Sequence, residues 1–170
     1  MRHLEIAMQK NSILPASDVE GVGLVLYDDA GRIFIAFEGR SKPQYDKEIG
    51  DPTIPWETRE RLLGGEYESL ETALKRTLDE EVGFEVRISE LDHLIRFKTS
   101  FGVWTTIFCA KFDDAVRMGG AAIETGELLG WEWMLPEELE NRRVRGGIRE
   151  ILAAYQQYAE AQRRVRSIRA

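Results

Sequence analysis

Hydrophobic and polar positions alternate in short blocks along this chain. Residues 19–37, VEGVGLVLYDDAGRIFIAF, form two β-rich runs separated by the polar turn signal of Asp28, Asp29, Ala30 and Gly31, which predicts a hairpin. Residues 38–65 are polar and punctuated by Pro43, Pro52 and Pro55, so they predict a long loop with a short strand near Trp56. A helix is expected over 69–82, opened by Ser69 as N-cap and closed by Gly83. FEVRI, LDHLIRF and GVWTTIFCAKF then read as strands, 113–126 as a loop, and 131–135 as another strand. Pro136, Glu137 and Glu138 start a short helix. From Ile148 onward Ile148, Ile151, Leu152, Tyr155 and Ala159 recur at helical spacing, a packing face. The order predicts an α+β protein, a mixed sheet with helices around it.

The first long helix carries an anomaly. At about 100° per residue, Leu70, Ala73, Leu74 and Leu78 share one sector, with Val82 at its edge, and both Thr77 and Glu81 point the same way. A carboxylate on such a stripe is costly unless it is paired, protonated or bound to a cation. Glu80 lies at the border of the stripe and Arg76 beyond it. Ending the helix in Asp79, Glu80 and Glu81 also opposes its dipole. Two compensations are open: an ion pair to Arg76 or another arginine, or a hard divalent cation such as Mg²⁺, which prefers oxygen ligands.

Composition narrows the picture. The 170 residues carry 30 acidic and 23 basic side chains, a net charge of -7, which argues against sequence-independent nucleic-acid binding. Arg163, Arg164, Arg166 and Arg169 crowd the C-terminal helix end, where they complement its dipole. Cys109, the single cysteine, sits in an apolar stretch and reads as a buried, inert thiol. His3 and His93 read as surface or packing residues. No run of about 18 apolar residues and no signal-peptide pattern occurs, so a cytoplasmic protein with no membrane partner is expected. One domain spans 1–170, with 1–17 as an N-terminal extension and 145–168 as a C-terminal helix.

The segment ESLETALKRTLDEEVGF, residues 68–84, closely resembles the second half of the Nudix box, G-x5-E-x7-R-E-U-x-E-E-x-G-U, where U is bulky and apolar. Glu68 matches the first Glu, Arg76 the Arg, Leu78 the apolar position, Glu80 and Glu81 the paired acids, and Gly83 with Phe84 the close. The hairpin before it and the WEWM strand, LPEEL and terminal helix after it also look like parts of a Nudix domain. That resemblance implies a mixed sheet flanked by helices, an α/β/α sandwich. It further implies Mg²⁺-dependent hydrolysis, with Mn²⁺ as a substitute, of the diphosphate linkage in a nucleoside diphosphate derivative. On it, Glu80 and Glu81 are expected to bind metal, Glu127 to be a further ligand or base, and Glu68 and Arg76 to orient the helix acids. Glu81, Glu127 and Arg76 form the expected catalytic group. A nucleotide-type small molecule is the implied partner, with nucleic acid only as a capped or terminal-phosphate substrate. Dimers are common among relatives, so a homodimer fits as well.

Two departures qualify this. The Glu that follows the box Arg is Thr77 here, which removes a negative charge and a strong metal ligand. Glu57, Glu60 or Glu66 could replace that carboxylate. The glycine segment is irregular: either Gly64 and Gly65 are the glycine pair on a shortened loop, or Pro55, Trp56 and Glu57 take that place and the glycines are replaced. A slow or atypical hydrolase is therefore expected. The alternative is a Nudix-fold module that has lost catalysis and only binds nucleotide or protein. Tyr45, Trp56 and Trp104 are aromatic residues on which a substrate base could stack, or ordinary packing.

Overall fold

The expected hairpin forms. In a computed structural model that describes residues 20–118 and 128–169, β1 (Glu20–Tyr27) turns through Asp28, whose carboxylate accepts from the Ala30 and Arg32 amides, into β2 (Ile33–Glu38). Short strands β3 (Pro52–Thr53) and β4 (Trp56–Thr58) break the polar stretch that follows. Helix α1 (Leu70–Val82) starts on Ser69, whose hydroxyl accepts from the Thr72 amide, and stops at Gly83 with φ 63. That left-handed stop suits glycine, which has no Cβ to clash.

β5 (Phe84–Val86), β6 (Asp92–Lys98) and β7 (Trp104–Lys111) come next. The stretch expected as loop from 113 differs in its described part: a helical turn α2 (Phe112–Ala115) leads into β8 (Val116–Met118), which pairs antiparallel with β5. The cross-strand partners supplied by β5 are non-local, so the polar sequence alone gave no strand signal. Strand β9 (Leu128–Met134) begins earlier than expected, because β2 pairs with it along its whole length. The chain ends in a 3-10 turn, Pro136–Leu139, and helix α3 (Ile148–Arg169).

One mixed sheet organises these elements. β1 lies parallel to β7 at its centre, β6 pairs with the far side of β7, and β2 carries β9 and β3. β4 pairs antiparallel with the start of β1, placing Glu57 opposite Val22. Alternation sorts the side chains to two faces. Val22, Leu24, Leu26, Phe34 and Ala36 meet Leu70, Leu74 and Leu78 of α1, while Val25, Ile33, Ile35 and Trp56 meet Ile148, Ile151, Leu152 and Tyr155 of α3. The result is an α/β/α sandwich with a core on each side of the sheet. Cys109 is fully buried beneath α3, and burial pushes its thiol up to about 12, in keeping with an inert role. His93 packs edge-on against Phe108. Among the described residues no helix is long and apolar enough to cross a membrane.

Candidate functional site

Parity along the strands, together with the path of α1, builds the site. Glu38 follows Phe34 and Ala36 on the α1 face of β2, and the register against β9 shifts between Phe37 and Glu38, a bulge of the kind that re-aims side chains. Glu57 neighbours Trp56, which faces α3, so its own side chain faces α1. Glu81 descends from the last turn of α1. All three carboxylates line one cleft, together with Arg40, Lys42 and Lys47.

The carboxylates differ in state. Glu38 is 2% exposed and held by Lys47 Nζ at 2.9 Å and Arg145 Nη1 at 3.1 Å, so its charge is offset within the protein. Glu57 Oε1 accepts from the Thr58 amide at 3.0 Å. Glu81 is half-buried at the cleft wall. Arg40, Lys42 and Lys47 thus give the acidic cleft a basic rim.

Box residues outside the cleft brace it. Glu68, 5% exposed, accepts from Arg76 Nη2 at 2.6 Å and from the Glu60 amide at 2.8 Å. Burial pushes the Glu68 carboxyl up, yet the hydrogen bonds from Arg76 and the Glu60 amide, with the Arg76 charge, outweigh it and hold the group below its ordinary value. Arg76 also donates to the Thr58 carbonyl at 3.1 Å, fastening α1 to the strand that carries Glu57. Its guanidinium is desolvated, but Glu68, Glu60 and Glu80 raise its pKa.

The structure separates the acid pair of the helix. Glu80 is exposed and lies 3.3 Å from Arg76, while Glu81 faces the cleft; the cation offered to Glu81 as a structural partner is engaged by Glu68, Glu60 and Glu80. Thr77 is buried, and its hydroxyl donates to the Ala73 carbonyl at 2.8 Å, so it presents no oxygen to the cleft. Of the three loop acids that could replace the missing carboxylate, Glu57 reaches the cleft. Glu60 is exposed beside Arg76, and Glu66 is exposed on a turn.

Trp56 and Glu57 lie in β4, directly after Pro55. Gly64 and Gly65 sit on the tip of a turn closed by Gly65 N–H to the Leu62 carbonyl, and open space surrounds them. They do not line the cleft. Glu127 lies outside the described residues. Trp104 faces Arg96 at 4.4 Å instead of the cleft, whereas Trp56 and Tyr45 line a recess beside it.

Glu38, Arg40, Lys42, Lys47 and Arg145 were not singled out in the sequence. A readable signal existed for Glu38 alone: a carboxylate on the strand parity of Phe34 and Ala36 is the same anomaly that marks Glu81 on α1. The cations sit in loops, where no periodicity reveals direction.

The sequence model of the NUDIX domain matches residues 18–155, and the chain belongs to that family. Solved structures share its fold. A NUDIX hydrolase from Nitrosomonas europaea aligns at a TM-score of 0.60 and 16% identity, covering 85% of this chain and 90% of that one. The ORF135 protein of E. coli aligns at 0.60 and 22%, covering 84% and 91%. An ADP compounds hydrolase aligns at 0.59 and 18%, covering 86% and 75%. No curated protein matches the sequence.

The donor set tests the fit of the divalent metal that the family implies. Among the described residues no three acidic, histidine or cysteine side chains stand close enough to cage an ion. Thr77 and Glu80 are turned to other partners, and Glu38 is neutralised. Glu57 and Glu81 both line the cleft, and two carboxylates fit the usual Mg²⁺ arrangement of one or two completed by water and substrate phosphate.

Proposed function

We propose that this chain is a slow Nudix-type hydrolase that cleaves the diphosphate linkage of a nucleoside diphosphate derivative, with Mg²⁺ or Mn²⁺ entering alongside the substrate. The observation that carries this reading is the meeting of Glu57 and Glu81 in one cleft edged by Arg40, Lys42 and Lys47. Carboxylates suited to a hard cation and cations suited to phosphate oxygens are the two halves of a metal-diphosphate site.

Glu57 and Glu81 hold the ion, which when bound supplies charge neutralisation at the diphosphate. Lys42 and Lys47 bind its oxygens and fix their direction, and Lys47 is itself oriented by Glu38. Glu81 takes the proton of the attacking water as the new P–O bond forms; the bridging P–O bond breaks and its electron pair leaves on the departing phosphate. Arg76 and Glu68 are positioning residues that keep α1 and β4 in register. Glu127 is proposed as a further ligand or base.

The buried Thr77 hydroxyl favours a second reading, a nucleotide-binding module without turnover. Calorimetric titration with Mg²⁺ and Mn²⁺ in the presence of ADP, followed by phosphate release from ADP-ribose, nucleotide sugars, dinucleoside polyphosphates and nucleoside triphosphates, separates the two. Turnover that falls at least about 100-fold in Glu81→Gln supports hydrolysis. Nucleotide binding with no turnover on any substrate establishes the module instead.

A further inference from the structure

The buried stretch of α3 ends at Tyr155, but the helix does not. Ile148, Ile151, Leu152 and Tyr155 pack its first half on the sheet, and the same stripe continues at helical spacing through Tyr158, Ala159, Gln162, Arg163 and Arg166. This second half covers a cavity of about 230 Å³, closed on its other sides by Tyr27, the turn at 28–31, Lys111 at the end of β7, and Pro136. The cavity lies at the other end of the β1–β2 hairpin from Glu38 and on the α3 face of the sheet, and it shares no residue with the acidic cleft.

One part of its wall is aromatic and held in place. The Tyr27 ring centre lies 5.8 Å from that of Tyr155 and 6.0 Å from that of Tyr158. Tyr158 donates to Asp92 Oδ2 at 2.7 Å, Tyr155 donates to the Gly31 carbonyl at 3.3 Å, and the Tyr27 hydroxyl lies 3.3 Å from that of Tyr158. Burial raises all three hydroxyls above their ordinary value, against the charges of Arg166 on Tyr27 and Arg163 on Tyr155, so the rings stay neutral. The other part is charged. Asp28 is taken by Arg32 at 2.7 Å and Asp29 by Lys111 at 2.7 Å, which leaves Glu137, on the 3-10 turn, as the lining acid without a cation. Opposed to it are two cations of α3: Arg163 uses its Nε on the Ala159 carbonyl at 3.4 Å, and neither it nor Arg166 pairs with a carboxylate among the described residues. Arg164, off the stripe, pairs with Glu160. Complementing the helix dipole asks only for charge near the last turn and does not require two guanidinium groups to line a cavity.

We propose that this cavity is a second ligand site, for a small molecule that joins a flat apolar ring to a carboxylate or phosphate group. The ring lies against Tyr27 and Tyr158 with Tyr155 as the floor, and the acid group meets Arg163 and Arg166, whose planar guanidinium groups suit two-point hydrogen bonding to either oxyanion. A volume of about 230 Å³ exceeds the roughly 150 Å³ that encloses a benzene, which leaves space for the acid group. Because the two sites have no residue in common, this site stands or falls independently of the diphosphate reading of the cleft.

Titration calorimetry of the full chain in metal-free buffer tests it, with 3-phenylpropionate and phenyl phosphate as probes and benzyl alcohol and inorganic phosphate as controls. At least one ringed acid is expected to bind wild type about tenfold or more tighter than either control, because ring and charge act together; the tighter of the two identifies the acid group. Arg163→Gln combined with Arg166→Gln changes only the exposed end of α3. That double variant is expected to bind the ringed acid about tenfold or more weakly, the loss of a charge-assisted hydrogen bond, whereas Lys42→Gln at the cleft leaves the affinity unchanged. Four results overturn the proposal: no binding of either ringed acid, controls that bind as tightly, a double variant that binds like wild type, or a loss in Lys42→Gln that matches the loss in the double variant.

Discussion

At the scale of single residues, Thr77 is buried and serves its own helix. A buried threonine that donates to the carbonyl one turn back is satisfied within its helix, and such a bond contributes little to stability. Thr77→Val should therefore shift stability by less than about 1 kcal/mol and leave Mg²⁺ binding unchanged, as read by thermal melts and titration. Thr77→Glu should restore a carboxylate on the α1 side of the cleft and tighten Mg²⁺ binding in the presence of ADP. Unchanged metal affinity in that variant would show that a missing carboxylate at position 77 is not what limits the site.

Elements matter most where the segment before α3 crosses the sheet edge. Arg142 lies over Phe37, Arg143 pairs with Asp46, Glu48 and Asp51, and Arg145 joins Glu38 to the Trp56 face. Gly147 lets this strap pass: its φ is 93, and a Cβ there would meet the Trp56 ring at 2.7 Å. Gly147→Ala combines backbone strain with displacement of the recess wall, so it should cost about 1–3 kcal/mol in chemical denaturation and weaken ADP binding. A melt identical to wild type would mean that Trp56 moves without consequence. Much of this level was legible in advance. The hairpin, the cap on Ser69, the stop at Gly83 and the apolar face of α3 all follow from local spacing. Strand β8 was not legible, because its signal lies in pairing with β5 and not in its own residues.

For the molecule as a whole, the Glu68–Arg76 pair fastens helix to sheet, and it makes stability depend on pH. The folded pKa of Glu68 lies below the ordinary value of 4.5, so the pair's contribution is fully present above that value. As pH falls through the folded value, the carboxyl takes a proton and the contribution is lost. Glu68→Gln should remove about 3 kcal/mol, near the lower end for breaking a buried ion pair, at neutral pH. It should also flatten the acid limb of the stability curve, measured by urea unfolding between neutrality and acid. An acid limb as steep as that of wild type would place the acid sensitivity elsewhere.

What the sequence determined by itself was local. The span and register of α1, the inward direction of Thr77, the direction of Glu81 and the first hairpin are written in spacing that any stretch of chain carries with it. What only the tertiary structure decided was convergence. The division of labour between Glu80 and Glu81 depended on where Arg76 found its partners. The entry of Glu57 depended on β4 pairing with β1, which turns alternate residues to the α1 face. The presence of Glu38, Lys42, Lys47 and Arg145 at one cleft depended on a bulge, a loop and a strap from distant parts of the chain. Periodicity gives a side chain its direction on its own element, while the distance between elements is set by packing of the two cores, which no local pattern contains.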